Sequence, residues 1–356
     1  MIVEGEMKIM NENRIQSRFR GCLLAGAAGD ALGYPVEFRS YEQILEQYGD
    51  AGITGYDLVF DREYAVVTDD TQMTLFTAAG LLEEIRRRGN ARTLDTAWGS
   101  IYEAYLDWLH TQTPRSKRRN FYTTLTQETR LYENRAPGVT CLRELRNGRC
   151  GSVDEPINRS KGCGGVMRVA PVGLYFGPEA DADDVLRLGA QAAAITHGHS
   201  LGYLPAAALA YIVWRAVYAQ GDVSLREILL DCSCAMQCAF ENEGHLDTLN
   251  QLMDKAARLA QNNAPDCENI AELGEGWVGD EALAISVYCC LRHEGDLSAA
   301  LIAAVNHDGD SDSTGAIAGN IMGAMLGEEG IEDKWLEKLE FTDLIGKMAD
   351  AMFTAK

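Results

Sequence analysis

The sequence predicts an all-α protein, and three observations carry that prediction. Apolar residues recur at helical spacing through segment after segment, many segment ends carry helix punctuation, and sustained period-two alternation is nearly absent, with EYAVV (63–67) the clearest short candidate strand. A first helix is expected from about Arg14 to Ala31, its glycines and alanines letting neighbours approach closely. The next, TDDTQMTLFTAAGLLEEIRRRG, opens on acids, ends on Arg86 to Arg88 and stops at Gly89, as favourable helix-end charges and a C-terminal glycine require. Further helices fit LDTAWGSIYEAYLDWL, ADDVLRLGAQAAAIT, PAAALAYIVWRAVYAQ, LREILLDCSCAMQCAF, LDTLNQLMDKAARLAQN, DEALAISVYCCLRH, LSAALIAAVN and TGAIAGNIMGAML. The stretch from about Thr111 to Gly151, with basic residues at Arg115 to Arg119, is the longest poorly periodic segment and reads as a surface excursion. No fixed-period repeat or low-complexity linker marks a domain boundary.

Composition narrows the class. A hydrophobic fraction of 46% excludes wholesale disorder, and no unbroken apolar run reaches the roughly 18 residues of a membrane span. MIVEGEMKIMNENR carries acids early and no apolar h-region, so neither a signal peptide nor a membrane partner is expected. Cys232, Cys234 and Cys238 lack the paired C-x2-C spacing of a zinc site, and the cysteines are expected to be small, buried, reduced thiols of a cytoplasmic protein. A net charge of −21 argues against sequence-independent nucleic-acid binding. The same charge means that a phosphate-bearing ligand needs local compensation from metals, backbone amides or a few placed cations.

Two acidic loops carry the chemistry. One is Thr68-Asp69-Asp70-Thr71; the other runs from Asp308 to Gly315 as DGDSDSTG, and each precedes an apolar helix. Helix capping explains one such residue per helix, not this many. Two unpaired carboxylates about 4 Å apart repel by roughly 4 kcal/mol at an effective dielectric near 20, so a chain that gathers several is expected to supply a cation. With no histidine or cysteine in either stretch, the donors are hard oxygens, suited to Mg²⁺, Mn²⁺ or Ca²⁺. An EF-hand fails: counting from Asp308, Ser313 falls where glycine belongs and Gly319 where the bidentate glutamate belongs.

GCLLAGAAGDALGYPVEF, VTDDTQMTL, RAPGVTCLREL, SKGCGGVMRVAPVGL, AITHGHSLGYLPAAALA, GEGWVGDEALAISVYC and HDGDSDSTGAIAGNIMGA, in that order from about Arg14 to Gly327, together resemble the ADP-ribosylglycohydrolases. The resemblance implies an orthogonal multi-helix bundle over residues 14–356, a flexible N-terminal extension over 1–13, and a cleft holding two Mg²⁺ or Mn²⁺ ions. It implies metal ligands at Thr68, Asp69, Asp70, Asp310, Asp312 and Ser313, and catalytic roles for Glu37, Asp70 and Asp312. Ser160, Lys161, Gly162, Cys163 and Gly164 match a loop that receives the diphosphate, with cysteine where asparagine is commoner. His197 matches a ligand-facing histidine, Trp277 either lines the adenosine side of the cleft or anchors the core, and Asp30 reads as support near the site.

The activity implied is removal of ADP-ribose from a modified protein side chain, most simply an arginine, with Asp107 or Asp308 as the acid near the cleft mouth. Serine-linked ADP-ribose and O-acetyl-ADP-ribose are the alternative substrates. A further alternative adds a binding role, in which the protein blocks an ADP-ribosylating toxin through its N-terminal extension.

Overall fold

The computed structural model describes residues 2–89, 93–113, 118–221 and 223–355, and for residues 2–10 the backbone alone. In chain order the helices are α1 (Ile2–Gly33), α2 (Tyr41–Tyr48), α3 (Asp69–Arg88), α4 (Leu94–Gln112), α5 (Val139–Arg146), α6 (Ala170–Tyr175), α7 (Ala182–Ala194) and α8 (Ser200–Tyr218). They continue as α9 (Leu225–Ala239), α10 (Leu246–Leu259), α11 (Asp266–Ala271), α12 (Gly279–Arg292), α13 (Leu297–Val305), α14 (Ser311–Leu326), α15 (Asp333–Leu336) and α16 (Thr342–Thr354). The described residues contain no strand. EYAVV makes one isolated bridge, Ala65 to Leu339, on its way into α3.

Helix ends follow local chemistry. Thr68 caps α3 by accepting from the Asp70 amide, Arg86 to Arg88 occupy its last turn, and Gly89 ends it. α8 starts at Ser200 rather than at Pro205 because the His199 side chain accepts from the Leu201 amide and caps an earlier turn. Pro205 is tolerated near the start of that helix, where one lost backbone bond is offset by tertiary packing. α8 is long and apolar enough to cross a bilayer, yet 89% of its most apolar window is buried inside this fold.

The longest helix, α1, crosses α14 through glycines. A Cβ on Gly29 would lie 2.0 Å from the Gly315 carbonyl oxygen, and one on Gly319 would lie 2.0 Å from that of Ala25. Backbone therefore touches backbone, which only residues without a side chain permit. At the end of this seam Gly33 meets Ser311, so Asp30 and Glu37 arrive beside the first turn of α14.

The segment after α4 is more than a surface excursion. Leu125, Leu131, Arg135, Cys141 and Leu145 are buried within it. Asp107, 0% exposed, organises its entry by accepting from Arg118 Nε at 2.7 Å, Tyr122 N at 2.8 Å and Thr123 N at 2.7 Å. That commitment removes Asp107 as an acid at the cleft mouth. Of the expected basic patch, Arg115 to Lys117 lie outside the described residues, while Arg118 pairs with Asp107 and Glu103. All the cysteines are free. Cys232 is buried as expected, whereas Cys234 and Cys238 are exposed on α9.

Candidate active site

The two acidic loops meet because two helices begin at the same place. Asp30, fully buried on α1, accepts from Thr68 N at 3.0 Å, Thr71 N at 3.1 Å and the Thr71 hydroxyl at 2.5 Å. It thereby satisfies amides that the first turn of α3 leaves without helical partners. Asp69 is held from the other side: its amide donates to Arg135 O at 3.0 Å and its Oδ2 accepts from Gly138 N at 3.0 Å. At α14, Asp310 N donates to Glu275 O at 2.8 Å, and Asp312 Oδ1 accepts from Ser313 N at 2.9 Å. Carboxylate oxygens of Glu37, Asp310 and Asp312 fall within 4.8 Å of one another, and Asp70 lies in the field of Asp312, Asp69 and Asp310. The positive ends of the α3 and α14 dipoles both point into this cluster and offset part of its repulsion.

Burial and repulsion raise the proton affinity of every acid here. Desolvation first, then Asp312, pushes Glu37 up to about 10 and Asp30 up to about 7. Asp69, Asp70 and Asp310 are pushed well above the usual carboxylate range, chiefly by burial. Asp70 Oδ2 and Glu37 Oε2 are buried with no hydrogen-bond partner. Orphaned carboxylate oxygens among like charges fit hard divalent cations.

Beside the acids lies the glycine loop. Cys163 N donates to Trp277 O at 3.2 Å and Gly279 N to Lys161 O at 2.8 Å, zipping the loop to the start of α12. Ser160 Oγ accepts from Gly162 N at 3.4 Å, and the Lys161 side chain is exposed. The Cys163 thiol turns toward the acids and donates to Asp310 Oδ2 at 2.7 Å. Burial and Asp310 hold that thiol protonated. His197 is buried under the same loop, 3.0 Å from where a Cβ on Gly164 would sit. Burial, and after it Arg168, lowers its pKa to about 3, so the ring is neutral.

An aromatic pair forms the rim. Trp277 is partly exposed and stacks on Phe38 with ring centroids 5.1 Å apart and planes 20° apart. Phe38 is 73% exposed and holds φ at 65°, uncommon for a bulky residue. Trp277 Nε1 donates to Glu275 Oε2 at 3.1 Å. Asp308 is exposed and accepts from Tyr41 N at 2.7 Å. Tyr41, Glu275, Trp277 and Asp308 line a cavity of about 670 Å³ whose walls include none of the clustered acids. Phe38 was missed from the sequence; its one signal is an apolar residue immediately after Glu37 in a loop.

Residues 11–356 match the model of the ADP-ribosylglycohydrolase family. The chain is 27% identical over 393 residues to the ADP-ribosylhydrolase ARH3 of Homo sapiens, covering 96% of this chain and 94% of that protein. It is 27% identical over 331 residues to the ADP-ribosyl-[dinitrogen reductase] glycohydrolase of Rhodospirillum rubrum, covering 92% and 91%. A solved structure, described as an ADP-ribosylglycohydrolase-related protein complex, superposes with a TM-score of 0.67 at 23% identity over 96% of this chain and 99% of that one, a likeness of fold. With the family model spanning nearly its whole length, this chain belongs to the ADP-ribosylglycohydrolase family.

Proposed function

We propose that this protein is a metal-dependent hydrolase that releases ADP-ribose from a modified protein side chain, and that the side chain is arginine. The observation that carries the hydrolase reading is the convergence of two helix starts with Glu37, a cluster in which Asp70 Oδ2 and Glu37 Oε2 are buried without partners. Thr68, Asp69, Asp70, Asp310, Asp312 and Ser313 are the residues to hold two Mg²⁺ or Mn²⁺ ions. When bound, such ions supply Lewis acidity for ribose hydroxyls and for the hydrolytic water.

The chain's own residues do the rest. The loop from Ser160 to Gly164 receives the diphosphate. Because the Gly162 and Cys163 amides already donate to Ser160 Oγ and Trp277 O, the Ser160 hydroxyl and the exposed Lys161 supply the local compensation that an acidic protein needs. Asp70 and Asp312 hold the water and accept its proton, with Glu37 close enough to Asp312 to exchange places with that water. As the bond from ribose C1 breaks, the same carboxylates stabilise developing positive charge on the sugar. The departing nitrogen takes its proton at the rim, where Asp308 is exposed.

The rim also supports arginine. A planar guanidinium stacks on an indole face and pairs with carboxylates, and Trp277 sits with Glu275 and Asp308 around one cavity. The Rhodospirillum rubrum relative is named for an ADP-ribosylated protein target. Trp277→Ala is expected to raise KM for an arginine-linked substrate by roughly tenfold with little change in kcat; an unchanged KM would remove the stacking role.

The deciding experiment follows ADP-ribose release by mass spectrometry from arginine-linked and serine-linked proteins, after chelation and after Mg²⁺ is restored. Faster, Mg²⁺-dependent loss from arginine is expected. Faster loss from serine overturns the linkage but leaves the hydrolase. Loss from neither shifts weight to O-acetyl-ADP-ribose or to binding an ADP-ribosylating toxin, and full activity without metal removes the metal-dependent reading.

A further inference from the structure

Arg168 is buried at 0% exposure, yet its hydrogen bonds go to neutral groups. Nη1 reaches Cys141 Sγ at 3.2 Å and Met73 Sδ at 3.6 Å, while Nη2 reaches Thr196 Oγ1 at 2.7 Å and Ala192 O at 3.3 Å. The guanidinium lies 4.3 Å from the centroid of the Tyr105 ring, and its Nε has no hydrogen-bond partner. A buried cation without a carboxylate is costly, so its position calls for a reason.

The reason lies one bond further on. Thr196 Oγ1 accepts from Arg168 and sits 2.8 Å from His197 Nδ1. A hydroxyl has one hydrogen to give; with the guanidinium occupying one lone pair, that hydrogen points at Nδ1. The nitrogen is then an acceptor, and the ring proton resides on Nε2. Were Nδ1–H the donor instead, the threonine hydrogen would fall to the Cys141 sulfur, its other side-chain partner and a far weaker acceptor than an imidazole nitrogen. Nε2 faces the glycine loop, 3.4 Å from where a Cβ on Gly162 would stand. Absent side chains at Gly162 and Gly164 leave this ring edge open.

We infer that Arg168 and Thr196 are positioning residues that hold His197 as its Nε2–H tautomer, a fixed neutral donor beneath the glycine loop for a phosphate or ribose oxygen of the ADP-ribosyl group. The identity of that ligand rests on the proposed function; the tautomer does not. Low proton affinity at His197, set by burial and Arg168, keeps the donor neutral across the physiological range. Arg168 also places the positive charge under the loop that an anionic ligand requires.

The test reads the full-length protein with ¹⁵N-labelled histidine, assigning His197 by difference against His197→Gln. Wild type is expected to show the Nε2–H signature, and Thr196→Val, close in shape but without the hydroxyl, a mixture of tautomers. Calorimetry with ADP-ribose as probe is expected to give a Kd about tenfold weaker for Thr196→Val, with Mn²⁺ affinity unchanged, which a general loosening of the fold would not leave intact. An Nδ1–H signature in wild type, or a Thr196→Val protein matching wild type in tautomer and Kd, overturns the inference. Wild type that shows Nε2–H but binds no ADP-ribose overturns the ligand assignment together with the proposed function, while the tautomer relay stands.

Discussion

Asp312→Ala is expected to lower turnover by on the order of a thousandfold while leaving the helical fold intact. Asp312 sits in the first turn of α14 with an oxygen within 4.8 Å of oxygens of Glu37 and Asp310. It is the largest charge acting on Glu37 and on Asp70, so it stands at the electrostatic centre of the cluster. Its Oδ1 accepts from the next amide in its own helix turn, and its other side-chain bonds go to Thr68 and Asp310 within the cluster, so truncation reaches little of the scaffold beyond the site. Turnover at saturating Mg²⁺ and far-ultraviolet circular dichroism check both halves. Wild-type turnover in the variant would remove Asp312 from the mechanism.

The metal-free protein is expected to lose thermal stability as pH rises, and saturating Mg²⁺ is expected to suppress the loss. Asp30 and Glu37 bind protons more tightly in the folded chain, near 7 and 10, than as free carboxylates near about 4. The stability tied to each is fully present below the unfolded value and is lost as pH passes through the folded one. Melting temperature after chelation should therefore fall by several degrees between about pH 6 and about pH 9. Cations bind the deprotonated acids, so the gap between Mg²⁺-loaded and chelated protein should widen with pH. Asp312→Ala should melt above wild type when both are chelated at the upper end of that range. A chelated wild type whose melting temperature is flat or rising would show that the cluster is not the repulsive centre described.

The sequence made α3 legible because acids, arginines and Gly89 mark its two ends. It hid the start of α14, since DGDSDS reads as loop although Ser311 to Ser313 are already helical. It hid the character of the segment after α4 for another reason: a chain without periodicity can still pack when one buried carboxylate, here Asp107, collects its amides. Both acidic loops were readable as charge density that capping cannot explain. What spacing could not show is which distant segments touch. Cys163 reaches Asp310 across 147 residues, and Phe38 meets Trp277 only when the loop after α1 is set against the turn before α12.

The glycine seam between α1 and α14 has a consequence for how the acids are spaced. Glu37 follows one helix and Asp312 begins the other, so the distance between them is set where Gly29 meets Gly315. Carbonyl oxygens and α-carbons have no rotamers with which to absorb an intruder. Gly29→Ala should accordingly weaken Mn²⁺ binding, read by calorimetry, more than an alanine replacing a residue on the outer face of α1; equal losses would dissolve the link. The seam works as a gauge block: its thickness is one backbone against another, and a single added methyl group would change the dimension to which the acids are machined.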